Sequence, residues 1–296
     1  MVAASLLLLA ACGADTTPEA TGEQTPTEAT NATEAFPEEV DAKDFAPELF
    51  GADSADVDNE YFPFEPGTQW TLEGRAFDGD EQVERRVVFT VTDLTKVIAG
   101  VRVVVGWDRD YNDDALIEEE IIFLAQDQGG NVWHLGQYRE QYDEEGELDG
   151  GRVWFVGSPE GATAGIKMKA DPSLGTPSYS QGLAPPPFNW DDRAKVHRVG
   201  VETCVPAGCF QDVLVTDEFE PSIPGAHQLK YYAPEVGIVR VGWYGENEEE
   251  REVLVLTKHS QLSPEELAVA RATALEMEER AYAYARTQPV EPRAAH

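Results

Sequence analysis

From Tyr61 onward, apolar and polar positions alternate with a period of two. Val101, Val103, Val105 and Trp107 fall on one side of an extended chain, and Arg102, Val104, Gly106 and Asp108 on the other. Comparable runs predict further strands at 69–77, 83–91, 116–124, 131–138, 152–156, 195–203, 210–216, 227–232, 238–244 and 251–258. Between them stand Asp78-Gly79, Asn112-Asp113-Asp114, Gly129-Gly130, Glu145-Gly146, Pro206-Ala207-Gly208 and Gly245-Glu246-Asn247. Gly, Asn and Asp reach positive φ at small cost, so these are hairpin turns. About eleven strands with no intervening helix predict a mainly β fold: one strongly curved antiparallel sheet or a β-barrel. The Pro-rich stretch 169–192 is too long for a simple turn and reads as a lid over a cavity or, preferentially, a plug for a barrel end.

The pattern changes once more near the C-terminus. Ser263-Pro264-Glu265-Glu266 is a capping box with Pro at the first helical position. Leu267, Ala270, Ala274, Met277, Ala281 and Tyr284 then form a stripe spaced three and four apart. The expected helix docks that stripe on its own sheet, with a partner chain as the other option.

Two N-terminal segments lack strand periodicity. Val2 to Ala11 is uncharged and apolar, about half the ~20 residues that span a bilayer, so 1–11 reads as a signal peptide. Its end, Leu9-Ala10-Ala11-Cys12, resembles the lipobox of bacterial lipoproteins, which implies lipid attachment at Cys12 and a membrane-anchored, extracytoplasmic protein of the cell envelope. After Cys12 the chain is dominated by Thr, Glu, Ala and Pro, with too few large apolar groups to offset chain entropy. Residues 12–57 are therefore expected to be a disordered acidic tether, with docking beginning around Phe45, Leu49 and Phe50. The antiparallel β domain is expected at 58–262, and the helix and tail at 263–296.

Composition narrows the partners. The 296 residues carry 56 Asp and Glu against 22 Lys and Arg, a net charge of −34. Such a surface repels phosphate backbones, which excludes nucleic acid as a partner. Between Gly13 and Glu60 Lys43 is the one basic residue among 14 acidic ones, which would extend the tether.

Several motifs taken together resemble a known but uncharacterised family. They are Tyr61-Phe62-Pro63-Phe64-Glu65-Pro66-Gly67-Thr68-Gln69-Trp70, Ala125-Gln126-Asp127 before Gly130-Asn131-Val132-Trp133, Val205-Pro206-Ala207-Gly208, and Tyr231-Tyr232-Ala233-Pro234-Glu235-Val236-Gly237. The family is one of secreted bacterial and archaeal lipoproteins, and the resemblance runs from about Asp58 to Lys258. It implies an extracytoplasmic β-rich domain and transfers no catalytic residue. A looser likeness to lipocalin-like and LolA-like lipid-handling folds is architectural, and fold alone does not establish function.

The candidate chemistry is sparse. With Cys12 lipidated, Cys204 and Cys209 remain, flanking a four-residue hairpin loop in an oxidising compartment, and a disulfide is expected. Asp108, Asp110, Asn112, Asp114 and Glu119 approximate the oxygen spacing of a calcium loop, although Asp113 stands where that loop needs Gly and strands flank it. A hairpin turn with solvated acids is the simpler account, and no cofactor is expected. Acidic runs at 118–120, 143–145 and 248–250 offer glycosidase-like pairs only by abundance. There is no G-x-S-x-G, H-E-x-x-H or phosphate loop, and His134, His197, His227 and His259 have no evident partner. The six Trp read mainly as core, with an apolar pocket as the other use. The sequence thus points to a non-enzymatic binding module for an apolar small molecule or lipid. The alternative is a structural or interaction lipoprotein that contacts another envelope protein and has no cavity.

Overall fold

The computed structural model describes residues 40–78, 81–249 and 251–293. The expected signal peptide, Cys12 and residues 13–39 of the expected tether lie outside the described residues.

The fold is mainly β, with one large antiparallel sheet and a helix near the C-terminus. β1 (Asp58–Asn59) and β2 (Phe62–Pro63) pair with each other. The main sheet is built from β3 (Thr68–Asp78), β4 (Glu81–Ile98), β5 (Val101–Asn112), β6 (Ala115–Gln126), β7 (Val132–Tyr142), β8 (Leu148–Phe155) and β9 (Thr163–Met168). It continues through β10 (Tyr179–Ser180), β11 (Gly182–Leu183), β12 (Arg193–Val205), β13 (Gly208–Phe219), β14 (His227–Ala233), β15 (Gly237–Tyr244) and β16 (Val253–Gln261). After α1 (Pro264–Ala281), β17 (Glu291–Pro292) returns to pair with β4. The order across the sheet is β10-β12-β13-β14-β15-β16-β3-β4-β5-β6-β7-β9-β11, with β8 beside β7. Its first and last members, β10 and β11, are separated in sequence by Gln181 alone.

Alternation locates eleven of the seventeen strands among the described residues; β9 and the two-residue β1, β2, β10, β11 and β17 escape it, and β4 is longer than it predicts. β4 runs on past Val91 because Thr92 turns its hydroxyl to the Val105 carbonyl, 2.7 Å away, and the ladder shifts register before resuming at Thr95. It then reverses at Ala99-Gly100, both at positive φ. β9 is hidden in a Gly- and Ala-rich stretch whose small side chains give little alternation. They are required there: a Cβ on Gly165 would lie 1.9 Å from the Gln181 carbonyl carbon.

Direct cross-strand partners share a face, so the register separates two faces. The Trp70 face carries Trp70, Leu72, Val91, Val104, Leu124, Val132, Leu214, Leu254 and Leu256 in one buried cluster, which Phe62 and Phe64 join from the β1–β2 segment. Gly106 makes room for that segment, because a Cβ there would stand 2.6 Å from the Phe64 ring. The helix face carries Val103, Val105, Trp107, Ile121, Phe123 and Leu135 beneath Ala270, Ala274, Met277 and Ala281 of α1. The helix therefore docks on its own sheet. Ser263 and Glu266 form the expected capping box. Leu267 is half-buried, and Tyr284 lies beyond the helix against Tyr138, with ring centroids 5.8 Å apart. Under α1 Lys96 Nζ meets Glu278 Oε1 at 2.5 Å, both side chains nearly inaccessible.

The tether boundary moves. The tether is expected to reach residue 57, but the described chain is packed from its first residue, Val40, which is buried and whose carbonyl accepts from Lys169 Nζ at 2.7 Å. Phe45 and Phe50 pack on Trp133 with centroids 5.6 and 6.1 Å apart. Phe45 and Phe50 are the expected docking points, and low average hydrophobicity conceals only Val40 ahead of them.

Candidate functional site

Beside its apolar cluster, the Trp70 face carries an unusual concentration of charge. β5 and β6 place Asp108 opposite Glu120 and Asp110 opposite Glu118, four carboxylates on one side of two adjacent strands. Arg85 from β4 meets Asp110 at 2.5 Å and Glu252 at 3.4 Å. Arg139 from β7 reaches Glu118 at 3.4 Å and also contacts Glu120. Two guanidinium groups do not neutralise this many acids. Burial first, then Asp110 and Glu120, push Asp108 well above the usual carboxylate range. Burial and Glu120 likewise push Glu118 up to about 9, despite the opposing pull of Arg139.

A second charged group sits farther along the same face. Lys230 Nζ lies 2.7 Å from Glu218 Oε2. Burial alone would raise Glu218, but Lys230 and Lys167 outweigh it and hold this carboxyl at about 2. Burial lowers Lys167, whose nearest charges act only at a distance. His134 is buried against Trp154 and Trp190, with centroids 4.8 and 5.4 Å away, and burial depresses it to about 3, so it is neutral.

The expected calcium ligands are not brought together. Asp108 and Asp110 point to the Trp70 face, whereas Glu119, paired with Arg109, points to the helix face and accepts from Trp107 Nε1 at 2.8 Å. Successive side chains of a strand point to opposite faces, so a five-ligand loop cannot form across this hairpin. Asp110 and Asn112 are engaged by Arg85, and Asp114 by Arg86 at 3.1 Å. Asp113 and Asp114, at positive φ, form the turn. No group of three or more His, Cys, Asp or Glu is placed to hold a metal among the described residues.

Cys204 and Cys209 are direct cross-strand partners at the β12–β13 hairpin and form a disulfide. Of the histidines, His227 has the partner that sequence spacing hides. Its Nδ1 lies 2.8 Å from the fully buried carboxylate of Asp217, which also accepts from Tyr244 at 2.6 Å and lies 3.0 Å from Lys195 Nζ. Four separate strands converge there, which no local motif encodes. This arrangement orients the imidazole of His227.

A cleft of about 130 Å³ opens at β8, lined by Arg152, Trp154, Phe155, Ala162, Pro185 to Pro187 and Tyr284. The 169–192 stretch supplies its prolines and also seats Phe188 and Trp190 on Trp154, at 6.3 and 5.5 Å. Trp154 is 3% exposed, yet its indole N–H has no hydrogen-bond partner. A buried donor left unmade costs about 1–3 kcal/mol, and this one is closed off by the rings of His134, Phe188 and Trp190. A wider, shallower cleft of about 320 Å³ lies beside β1 and β2, bordered by Asp56, Asp58, Glu60, Glu65, Glu235 and Arg293.

No protein-family profile matches the chain. No curated protein matches it either. Among solved structures, it is similar to a candidate exported protein with a YmcC-like fold from Bacteroides fragilis, at 16% identity and a TM-score of 0.35 over 68% of this chain and 99% of that one. It is also similar to a candidate lipoprotein from Parabacteroides distasonis, at 14% identity and a TM-score of 0.36, with 68% and 99% covered. At this level of similarity, function has to be read from the chain's own residues.

Proposed function

We propose that this chain is a lipoprotein of the cell envelope, anchored through Cys12, whose β domain is a non-enzymatic binding module with its ligand in the cleft at β8. The lipobox-like Leu9-Ala10-Ala11-Cys12 supports the anchor. The observation that carries the binding reading is the cleft itself, about 130 Å³ and walled by Trp154, Phe155, Ala162 and Pro185 to Pro187 with Arg152 and Glu160 beside them. Pockets that bind small molecules combine such walls with a few polar groups. The sheet is inferred to curl: residues 179–180 pair with β12 at one end of the strand order and residues 182–183 with β9 at the other, one residue apart.

A large apolar cavity inside the sheet is not the form this reading takes. Phe62, Phe64, Trp70 and Tyr232 pack that region with centroid separations of 5.6 to 6.5 Å. This filling favours a second reading, an interaction lipoprotein that recruits another envelope protein without binding any ligand.

Two measurements test the proposal. Feeding an alkynyl fatty acid to an expressing bacterium should label the wild-type protein and leave Cys12→Ser unlabelled; equal labelling would remove the anchor. Native mass spectrometry of the full Cys12→Ser chain from its bacterial host should give a small-molecule adduct that disappears on denaturation. A clean apo mass in repeated preparations would shift the weight to the interaction reading.

A further inference from the structure

The tip of the β12–β13 hairpin carries chemistry that the cleft does not use. We propose that Cys204 and Cys209 form a surface thiol–disulfide exchange site, which accepts a thiol on an uncharged or cationic carrier and is reduced and reoxidised while the domain stays folded.

Accessibility is the first ground. Both cysteines are exposed, so an attacking thiolate meets them at the surface without any opening of the fold. Disulfides that act purely as structural links resist reduction, whereas exposed ones are the labile, regulatory or catalytic ones.

The second ground is how little depends on the bond. It joins direct cross-strand partners, and the ladder continues on both sides of it, with Thr203 opposite Phe210 and Val205 opposite Gly208. Val205 and Phe210 pack on the Trp70 cluster, Thr203 is buried, and the Ala207 N–H donates to the Leu256 carbonyl at 3.1 Å. None of these contacts needs the S–S bond. Only four residues, Val205 to Gly208, lie between the cysteines, so joining them removes little entropy from the unfolded chain. By linkage, folding favours the bond as much as the bond favours folding: about thirtyfold here, against more than a thousandfold for a loop of roughly 100 residues.

Charge selects the carrier. Besides the two cysteines, Glu202 is the one ionisable side chain between Val201 and Gln211; it is exposed, in a chain of net charge −34. Such a surface repels an anionic carrier and admits a neutral or cationic one. In the exchange, the carrier's thiolate attacks one cysteine sulfur, a mixed disulfide forms as the S–S bond breaks, and the other cysteine leaves as a thiolate that takes up a proton. A second carrier thiol then displaces the first cysteine. Two carrier thiols are thereby oxidised to one disulfide, and the protein disulfide is reduced to two thiols.

The test uses the full Cys12→Ser chain, in which Cys204 and Cys209 are the only cysteines left. Reduction is followed by a maleimide gel shift, and Trp fluorescence reports the fold. Dithiothreitol, an uncharged dithiol, is expected to reduce the native protein at a rate within about tenfold of that in concentrated urea, with native fluorescence retained, and cystamine to restore the bond afterwards. At low salt, cysteamine should react about tenfold faster per thiolate than mercaptoethanesulfonate, and about 1 M salt should close most of that gap. Cys204→Ser with Cys209→Ser sets the unlabelled blank. A bond that stays intact until urea is added would overturn the exchange site and leave a structural link. Loss of native fluorescence on reduction would overturn the folded cycle. Equal rates for the two charged thiols would overturn the choice of carrier.

Discussion

The Trp70 face holds two regions built on opposite principles. Trp70, Leu72, Phe64 and Leu256 are apolar and nearly inaccessible, with His259 stacked on Trp70 at the edge, and the Trp70 indole donates to the Val236 carbonyl at 2.6 Å. Around Asp108, Glu118, Arg85 and Glu218 the same sheet presents charges to one another. The first region lowers free energy by excluding water, at roughly 25 cal/mol for each Å² buried. The second removes ions from water and recovers that cost only where a counter-ion is close. A single sheet can tolerate the second because it has the first. Stability should therefore respond strongly and without regard to pH when the apolar region is cut, and in a pH-dependent way when the charged region is altered.

The largest effect is expected from Trp70→Ala, which removes a side chain 3% exposed and its hydrogen bond. A loss of about 3–5 kcal/mol should appear as a lower urea midpoint with a similar slope at every pH tested. A loss below about 1 kcal/mol would mean that the apolar cluster does not hold the domain together.

Next comes Glu218→Gln, which leaves Lys230 without the carboxylate 2.7 Å away. Removing one partner of such a pair costs about 3 kcal/mol, whereas Glu218→Leu with Lys230→Met should be nearly neutral. Because Glu218 is held at about 2, below its unfolded value, its contribution is present above the unfolded carboxylate range and lost as pH falls toward 2. The acid limb of the stability curve should flatten in the Gln variant. An unchanged limb would assign acid sensitivity to other carboxylates.

A smaller effect is expected at the hairpin tip, where the disulfide joins Cys204 to Cys209 and neighbouring Val205 and Phe210 pack on the apolar cluster. The closed loop is short, so Cys204→Ser with Cys209→Ser should cost about 2 kcal/mol and leave the fold intact. Global unfolding in that variant would show that the hairpin anchors the apolar region instead of merely extending it.

Much of this architecture is legible in the sequence, and the exceptions have physical causes. Alternation locates β3, β5, β6 and β12 to β16 because each has one buried apolar side, and Ser263-Pro264 with Glu266 marks α1 through capping chemistry. Asp113 and Asp114 announce the turn between β5 and β6, and two cysteines on either side of the β12–β13 turn announce the disulfide. β9 escapes detection because it must let Gln181 approach, which selects small residues. The calcium-like ligands look contiguous along the chain, yet the pleat sends Glu119 to the opposite face from Asp108. Asp217 with His227 acquires meaning only from the register and from what packs around the pair. Spacing carries local geometry; it does not carry which distant strand supplies the neighbour.

The finest separation of the two regions comes from Glu118. Burial and Glu120 raise it to about 9, so the folded protein holds a proton that the unfolded chain releases near the ordinary carboxylate value. Between those two values the native state binds more protons than the unfolded state, and stability must fall as pH rises. For one such group the slope is at most about 1.4 kcal/mol per pH unit, fully developed between the two values and absent above the higher one. Glu118→Gln fixes the neutral form, keeps a similar volume and should remove that slope without altering the response to Trp70→Ala. Urea titrations of both proteins at intervals from about pH 5 to about pH 10 read the difference directly. Parallel curves would mean that Arg139, 3.4 Å away, already holds Glu118 ionised, and that the charged region is as indifferent to pH as the apolar one.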